Sequence, residues 1–195
     1  MRKYLIALLF VFFSAFSFAF SQQDLVSLLQ KPHNIQGDFI QQRYLKSLIK
    51  PITATGKFVL LPNQGLLWQM QKPFVNNLRV KPDGITQWNG SHWLSNDQLG
   101  QSKQIHLFLG LFSGDISSLA TQFNLLLTGS EQDWTLRLDP SSLLMKQIFT
   151  QINVRGGSFV KEIELLEKQG DRTVIQFSDV KTDSEMDAFA ASALK

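Results

Sequence analysis

Apolar and polar residues alternate with a period of two along much of this chain, the pattern of strands with one buried face. Leu66, Trp68 and Met70 fall on one side of their segment. Trp134, Leu136 and Leu138 do the same in theirs, opposite Thr135, Arg137 and Asp139. The alternation predicts strands over 35–49, 52–61, 66–71, 77–81, 85–89 and 91–95. Further strands are predicted over 121–128, 134–139, 152–154, 159–166 and 173–180. Pro51, Pro62-Asn63-Gln64-Gly65, Lys72-Pro73, Pro82-Asp83-Gly84, Asn89-Gly90, Gly156-Gly157 and Gly170-Asp171 separate them. Gly56, inside the second segment, predicts a bulge.

The period changes to a helical one in four places. A short helix over 25–30 is predicted, capped by Asp24 and ended by Lys31-Pro32. Residues 98–112 and 116–120 read as two helices near the middle of the chain, and Pro140-Ser141-Ser142 opens a helical turn running to 149. The tail, 184–195, is small and polar and is expected to fray. An antiparallel sheet of this length must curl or split. The expected class is mainly β, α+β in detail: an unclosed antiparallel barrel, or half-barrel, with short helices forming a lid over a lined cavity. Residues 104–112 suit that lid, because six large apolar residues in nine positions cannot all share one helical face. Gly110 and Gly114 would lend it freedom.

The first residues change the picture. Arg2 and Lys3 precede a short apolar run, 5–13, broken by Ser14 and Ser17. Ser17 with Ala19, or Ala19 with Ser21, gives signal-peptidase spacing. Length and flanks argue against a membrane anchor. Residues 1–21 are therefore expected to be a signal peptide and 22–195 one exported domain. Export removes most nucleotide-dependent and nucleic-acid functions. Without Arg2 and Lys3 the net charge falls from +3 to +1, and no basic block marks a phosphate backbone site. Cysteine is absent, so burial and backbone pairing must hold the fold together, and no lipid-anchored cysteine is available.

Candidate chemistry is sparse. His33, His92 and His106 lack metal-ligand spacing. Ser158 has no nucleophile elbow around it. Glu162 and Glu164 share a strand face between Lys161 and Lys168, as a solvated face does. The expectation is a protein that is not an enzyme and needs neither cofactor nor metal. Arg43, Arg79 and Arg137 are candidates for a polar rim.

Several residues then carry a resemblance. Phe39-Ile40-Gln41-Gln42, Gly56-Lys57-Phe58, Leu61-Pro62, Trp68, Pro73-Phe74, and Asp83-Gly84 with Trp88 occur in an order that resembles the periplasmic lipoprotein carriers called LolA. Arg155-Gly156-Gly157 and the run from Gly170 to Val180 fit the same scaffold, so the similarity spans about 35–180. The resemblance implies a periplasmic, monomeric half-barrel that shields acyl chains. It implies transfer of a lipoprotein from an inner-membrane transporter to an outer-membrane acceptor, with only transient membrane contact. By position it implies a cavity lined by Phe39, Phe58, Leu60, Leu66, Trp68, Met70, Leu78 and Val80. Leu107, Phe108, Leu111 and Phe112 would be lid residues. The family's carriers have an arginine just before the proline matching Pro62, which holds the lid closed; here Leu61 stands there. Residues 45–51 and 65–68 resemble a divergent branch that accompanies lipid-biosynthesis and export systems, which implies a lipid or acylated metabolite as ligand. A lipid-responsive regulatory module is a further reading, since periplasmic stress sensors reuse the half-barrel.

Overall fold

The computed structural model describes residues 20–62, 64–95, 110 and 116–195. The alternating segments become strands β1 (Ile35–Tyr44), β2 (Ile52–Leu61), β3 (Gly65–Lys72), β4 (Asn76–Lys81), β5 (Gly84–Trp88) and β6 (Trp93–Ser95). After them come β7 (Phe123–Ser130), β8 (Asp133–Pro140), β9 (Phe149–Gly156), β10 (Val160–Glu167) and β11 (Arg172–Thr182). The helices are α1 (Gln22–Gln30), α2 (Ile116–Ala120), α3 (Leu143–Ile148) and α4 (Ala188–Leu194). All strands join one sheet in the order β6-β5-β4-β3-β2-β1-β11-β10-β9-β8-β7, and the pairs are antiparallel. The edge strands β6 and β7 do not pair, so the sheet curls without closing.

Register places the apolar positions on one face. Leu60, Leu66, Val80 and Ile85 lie directly across from one another on β2 to β5, and Phe58, Trp68 and Leu78 form the next row. Phe39 sits opposite Phe177, and Ile163 opposite both Ile175 and Val154. All of these but Trp68, which packs against it, and Leu78 share one buried cluster with Leu25 and Leu29 of α1, Ile116 and Leu119 of α2, and Met145 of α3. Trp134 is wholly buried within it, and its indole N–H donates to the Gly157 carbonyl at 2.7 Å. Gly56 carries the expected irregularity: the β2–β3 register shifts between Thr55 and Gly56. A Cβ there would fall 2.1 Å from the Gln69 carbonyl oxygen and 2.8 Å from the Phe39 ring, so only glycine lets the strands approach.

Three local expectations are corrected. Ser21, not Asp24, caps α1. Its hydroxyl accepts the Asp24 N–H at 3.2 Å, while the Asp24 carboxylate accepts the Ser21 N–H at 2.9 Å, a reciprocal capping box. Strand β1 stops at Tyr44 instead of running to 49, because its neighbours β2 and β11 have no residues paired beyond Arg43 and Tyr44. The tail does not fray. Asp187 caps α4, which lays Ala190, Ala193 and Leu194 on Val59 and Leu67, on the face of the sheet opposite the main cluster. Phe189 packs edge-on to Trp88 and stacks on Trp93, whose ring lies 4.7 Å from the Arg79 guanidinium.

Candidate functional site: a groove on the concave face

The apolar face of the curled sheet is covered unevenly. Over β7, β8 and β9 the short helices α2 and α3 close it. Between β4 and β10 a groove of about 290 Å³ remains. One wall is Leu66, Trp68 and Met70 of β3 with Leu78 and Val80 of β4. The other wall is Leu165 of β10 and Thr173 and Ile175 of β11, with Gln41 and Arg43 of β1 crossing the floor. Phe74 and Asn76, in and after the β3–β4 loop, form a lip. The strand period explains the set: each wall takes every second residue of its strand.

Of the residues expected in a cavity, Leu66, Trp68, Met70, Leu78 and Val80 meet in this groove. Phe39, Phe58 and Leu60 belong to the packed cluster behind it. Phe39 reaches the wall indirectly: its ring stacks on Trp68 with centroids 3.7 Å apart, and Phe177 packs edge-on to Trp68 at 6.3 Å. These contacts fix the indole that faces the groove. Leu107, Phe108, Leu111 and Phe112 lie outside the described residues, as does Gly114. Gly110 is buried beside Leu119 of α2. Leu61 packs with the α4 cluster on the far side of the sheet, so an arginine there would meet α4 and not the groove.

The groove has one polar end. Arg43 lies 3.7 Å from both Glu167 and Asp171. Gln169 donates to the same two carboxylates at 2.9 and 3.2 Å, and the Lys46 N–H donates to Asp171 at 3.1 Å. This mutual satisfaction lets Glu167 stay buried in an apolar wall. The Asn76 Oδ1 atom at the lip is also buried, yet has no hydrogen-bond donor among the described residues. Leaving such an acceptor unpaired costs about 1–3 kcal/mol, so a ligand N–H or O–H reaching it would be favoured. Arg79 is on the opposite face over Trp93, and Arg137 pairs with Asp139 at 2.9 Å on β8, so only Arg43 of the three candidate rim arginines reaches the groove.

Sequence reasoning missed the second wall. Leu165 and Glu167, and Thr173 with Ile175, alternate as cleanly as the residues of β3. Nothing local said that β10 and β11 would face β3 and β4 across a gap; that follows from the pairing of β1 with β11. Among the described residues no group of histidine, cysteine, aspartate and glutamate is arranged to hold a metal ion, and no helix is long and apolar enough to cross a membrane.

Comparison with solved structures agrees with this architecture. A crystal structure of MucB matches with a TM-score of 0.54 at 14% identity over 89% of this chain and 62% of that one. The Pseudomonas aeruginosa MucA/MucB complex matches with a TM-score of 0.51 at 14% identity, over 85% of this chain and 57% of that one. The chain thus spans less than two thirds of the MucB chains it resembles. The LolA superfamily protein NE2245 from Nitrosomonas europaea matches over 90% of this chain and 97% of its own, at 10% identity and a TM-score of 0.50. At these identities the likeness is one of fold. No curated protein sequence matches the chain. The model of the family described as outer membrane lipoprotein carrier protein LolA matches residues 30–190, and the chain belongs to that family.

Proposed function

We propose that this protein is an exported periplasmic carrier that shelters acyl chains in the groove between β3–β4 and β10–β11. In this reading residues 1–21 are a signal peptide and 22–195 the carrier domain, working between an inner-membrane transporter and an outer-membrane acceptor. The single observation that carries it is the groove: an apolar trough that, among the described residues, no helix covers as α2 and α3 cover the other half of the sheet. A cavity of about 150 Å³ accepts a benzene ring, so 290 Å³ suits a hydrocarbon segment roughly twice that size. Hydrocarbon gains ~0.8 kcal/mol per methylene removed from water, so about eight methylenes give ~6 kcal/mol, comparable to what a membrane provides. A carrier near that balance can both load and unload. Met70, unbranched and polarizable, adapts the wall to different chains.

The groove's modest volume and the unpaired Asn76 oxygen favour a second reading, in which the cargo is a lipid or acylated metabolite with a donor headgroup, not a lipoprotein. Mass spectrometry of material co-purifying with the protein separates the two: acylated protein supports the first, free lipid the second, and neither in repeated preparations counts against carriage. Leu66 is only 2% exposed, so placing a charge there would also cost stability. Met70→Glu and Leu78→Glu, at half-buried wall positions, separate loading from folding. Both are expected to weaken binding of a fluorescent fatty acid by about tenfold or more, the cost of putting one charge against hydrocarbon. Unchanged probe affinity in both variants would refute the groove as the binding site.

A further inference from the structure

The two ends of the sheet differ in chemistry. One end carries the β1–β2 loop (45–51), the β3–β4 loop (73–75), the polar β5–β6 turn (89–92), the β8–β9 segment with α3 (141–148) and the β10–β11 turn (168–171). Hydrogen bonds tie three of these together: the Lys168 N–H donates to the Ile148 carbonyl at 2.8 Å and the Lys46 N–H to Asp171 at 3.1 Å. Large apolar side chains stand exposed on this rim. They are Leu48, Ile49, Phe74, Val75, Leu143 and Leu144, with Ile49 103%, Leu143 82% and Val75 77% accessible. At the other end the described turn residues 62, 64, 82–83, 131–132 and 157–159 expose none.

Charge follows the same division. Lys46, Lys50, Lys72, Lys146 and Lys168 are exposed around the apolar tips, and the acid of those loops, Asp171, is held by Arg43. The opposite end is mixed: Asp83, Glu131, Asp133, Asp183, Glu185 and Asp187 stand there with Lys31, Lys81, Lys161, Lys181 and Lys195. The apolar residues stand on three separate projections, and they do not form one continuous face. That suits a fluid partner better than a shaped one. Lysines can lay their stems along hydrocarbon and keep their ammonium groups at the headgroups. The groove opens at this same end, where Arg43, Met70, Phe74 and Thr173 line it.

We propose that this rim docks on an anionic lipid bilayer, with Ile49, Val75 and Leu143 entering the interface and the lysines meeting lipid phosphates. Docked so, the mouth of the groove faces the membrane and an acyl chain can cross without meeting bulk water. That use rests on the carrier reading; the docking itself does not.

The test is flotation of residues 20–195, the span of the fold, with vesicles of phosphatidylglycerol and phosphatidylethanolamine in equal parts. Thermal melts verify that each variant is folded. The parent is expected to float with these vesicles at low salt, to be released at high salt, and to ignore pure phosphatidylcholine. An Ile49→Ser, Val75→Ser, Leu143→Ser triple variant and a Lys50→Glu, Lys72→Glu, Lys146→Glu triple variant are each expected to lower partitioning about tenfold or more. Failure of the parent to float at low salt, as for a rim that serves an acidic protein, overturns the docking. Equal flotation of the serine variant also overturns it. Fluorescent fatty acid binding, run in parallel, keeps the two ideas apart. Probe bound without flotation removes the docking alone; flotation without probe binding removes the carrier reading alone.

Discussion

The β8–β9 part of the sheet and its β3–β4 part are built from the same alternating pattern and reach different outcomes. Trp134, Leu136, Leu138, Ile152 and Val154 are all no more than 3% exposed, whereas Trp68, Met70 and Leu78 on the other part remain half-open to the groove. The difference is what lies above them. α2 packs on β7, and α3 packs on β8 and β9, so that part is a core. No described helix covers Met70 and Leu78 in that way. Apolar surface is thus used twice in one sheet, once to stabilise the fold and once to offer hydrocarbon a dry wall.

Substitutions can sharpen that contrast. The largest effect is expected for Trp134→Ala, which removes a wholly buried ring and its 2.7 Å hydrogen bond to Gly157. Urea unfolding should show a loss of about 3–5 kcal/mol with little direct effect on ligand affinity in whatever remains folded. Trp68→Ala should reverse the order. It is expected to cost about half as much stability, since the ring is partly open, but to weaken fatty-acid binding by about tenfold. Equal losses of stability in the two variants would erase the distinction between core and wall.

A smaller effect is expected on the far face. Phe189→Ala, which frees α4 from Trp88 and Trp93, should lower stability by about 1–3 kcal/mol and leave fatty-acid affinity unchanged. A change in affinity would mean that α4 communicates with the groove through β3.

The smallest effect concerns Glu164, on the polar outer face. Burial acts to raise its pKa, but hydrogen bonds from Asn153 at 2.8 Å and Arg172 at 2.6 Å, with the charges of Arg172 and Arg155, hold it below the usual carboxylate range. A depressed carboxylate pKa stabilises the fold above the unfolded-state value and loses that contribution as pH falls through the folded-state value. The stability gap between the parent and Glu164→Gln should therefore be full at neutral pH and shrink below pH ~4.5. A gap independent of pH in acid titration melts would remove the ion pair from the account.

Much of the half-barrel was legible because strand alternation is a local signal that survives without knowledge of neighbours. The β3 wall, Leu66 with Trp68 and Met70, could be read from period two alone. The partner wall could not, because it depends on β1 pairing with β11 across nearly the whole chain. The end of β1 was misjudged for a related reason: Leu45 to Ile49 are apolar enough for a strand, but no neighbouring backbone extends to pair with them. The α4 helix left a signal that was passed over. Met186, Phe189, Ala190, Ala193 and Leu194 follow the three-and-four spacing of a buried helical face, masked by small residues and a polar approach. The capping box was readable too, since Ser21 stands three residues before an acid.

The central seam of the sheet joins the first strand to the last. A chain threaded through a pore from its N-terminus would keep one long flank of β1 bare until the final strand emerged. Such long-range closure makes folding slow compared with hairpin growth. Residues 35–44 would then be the segment most in need of protection from aggregation during biogenesis, long after the local hairpins around them have formed.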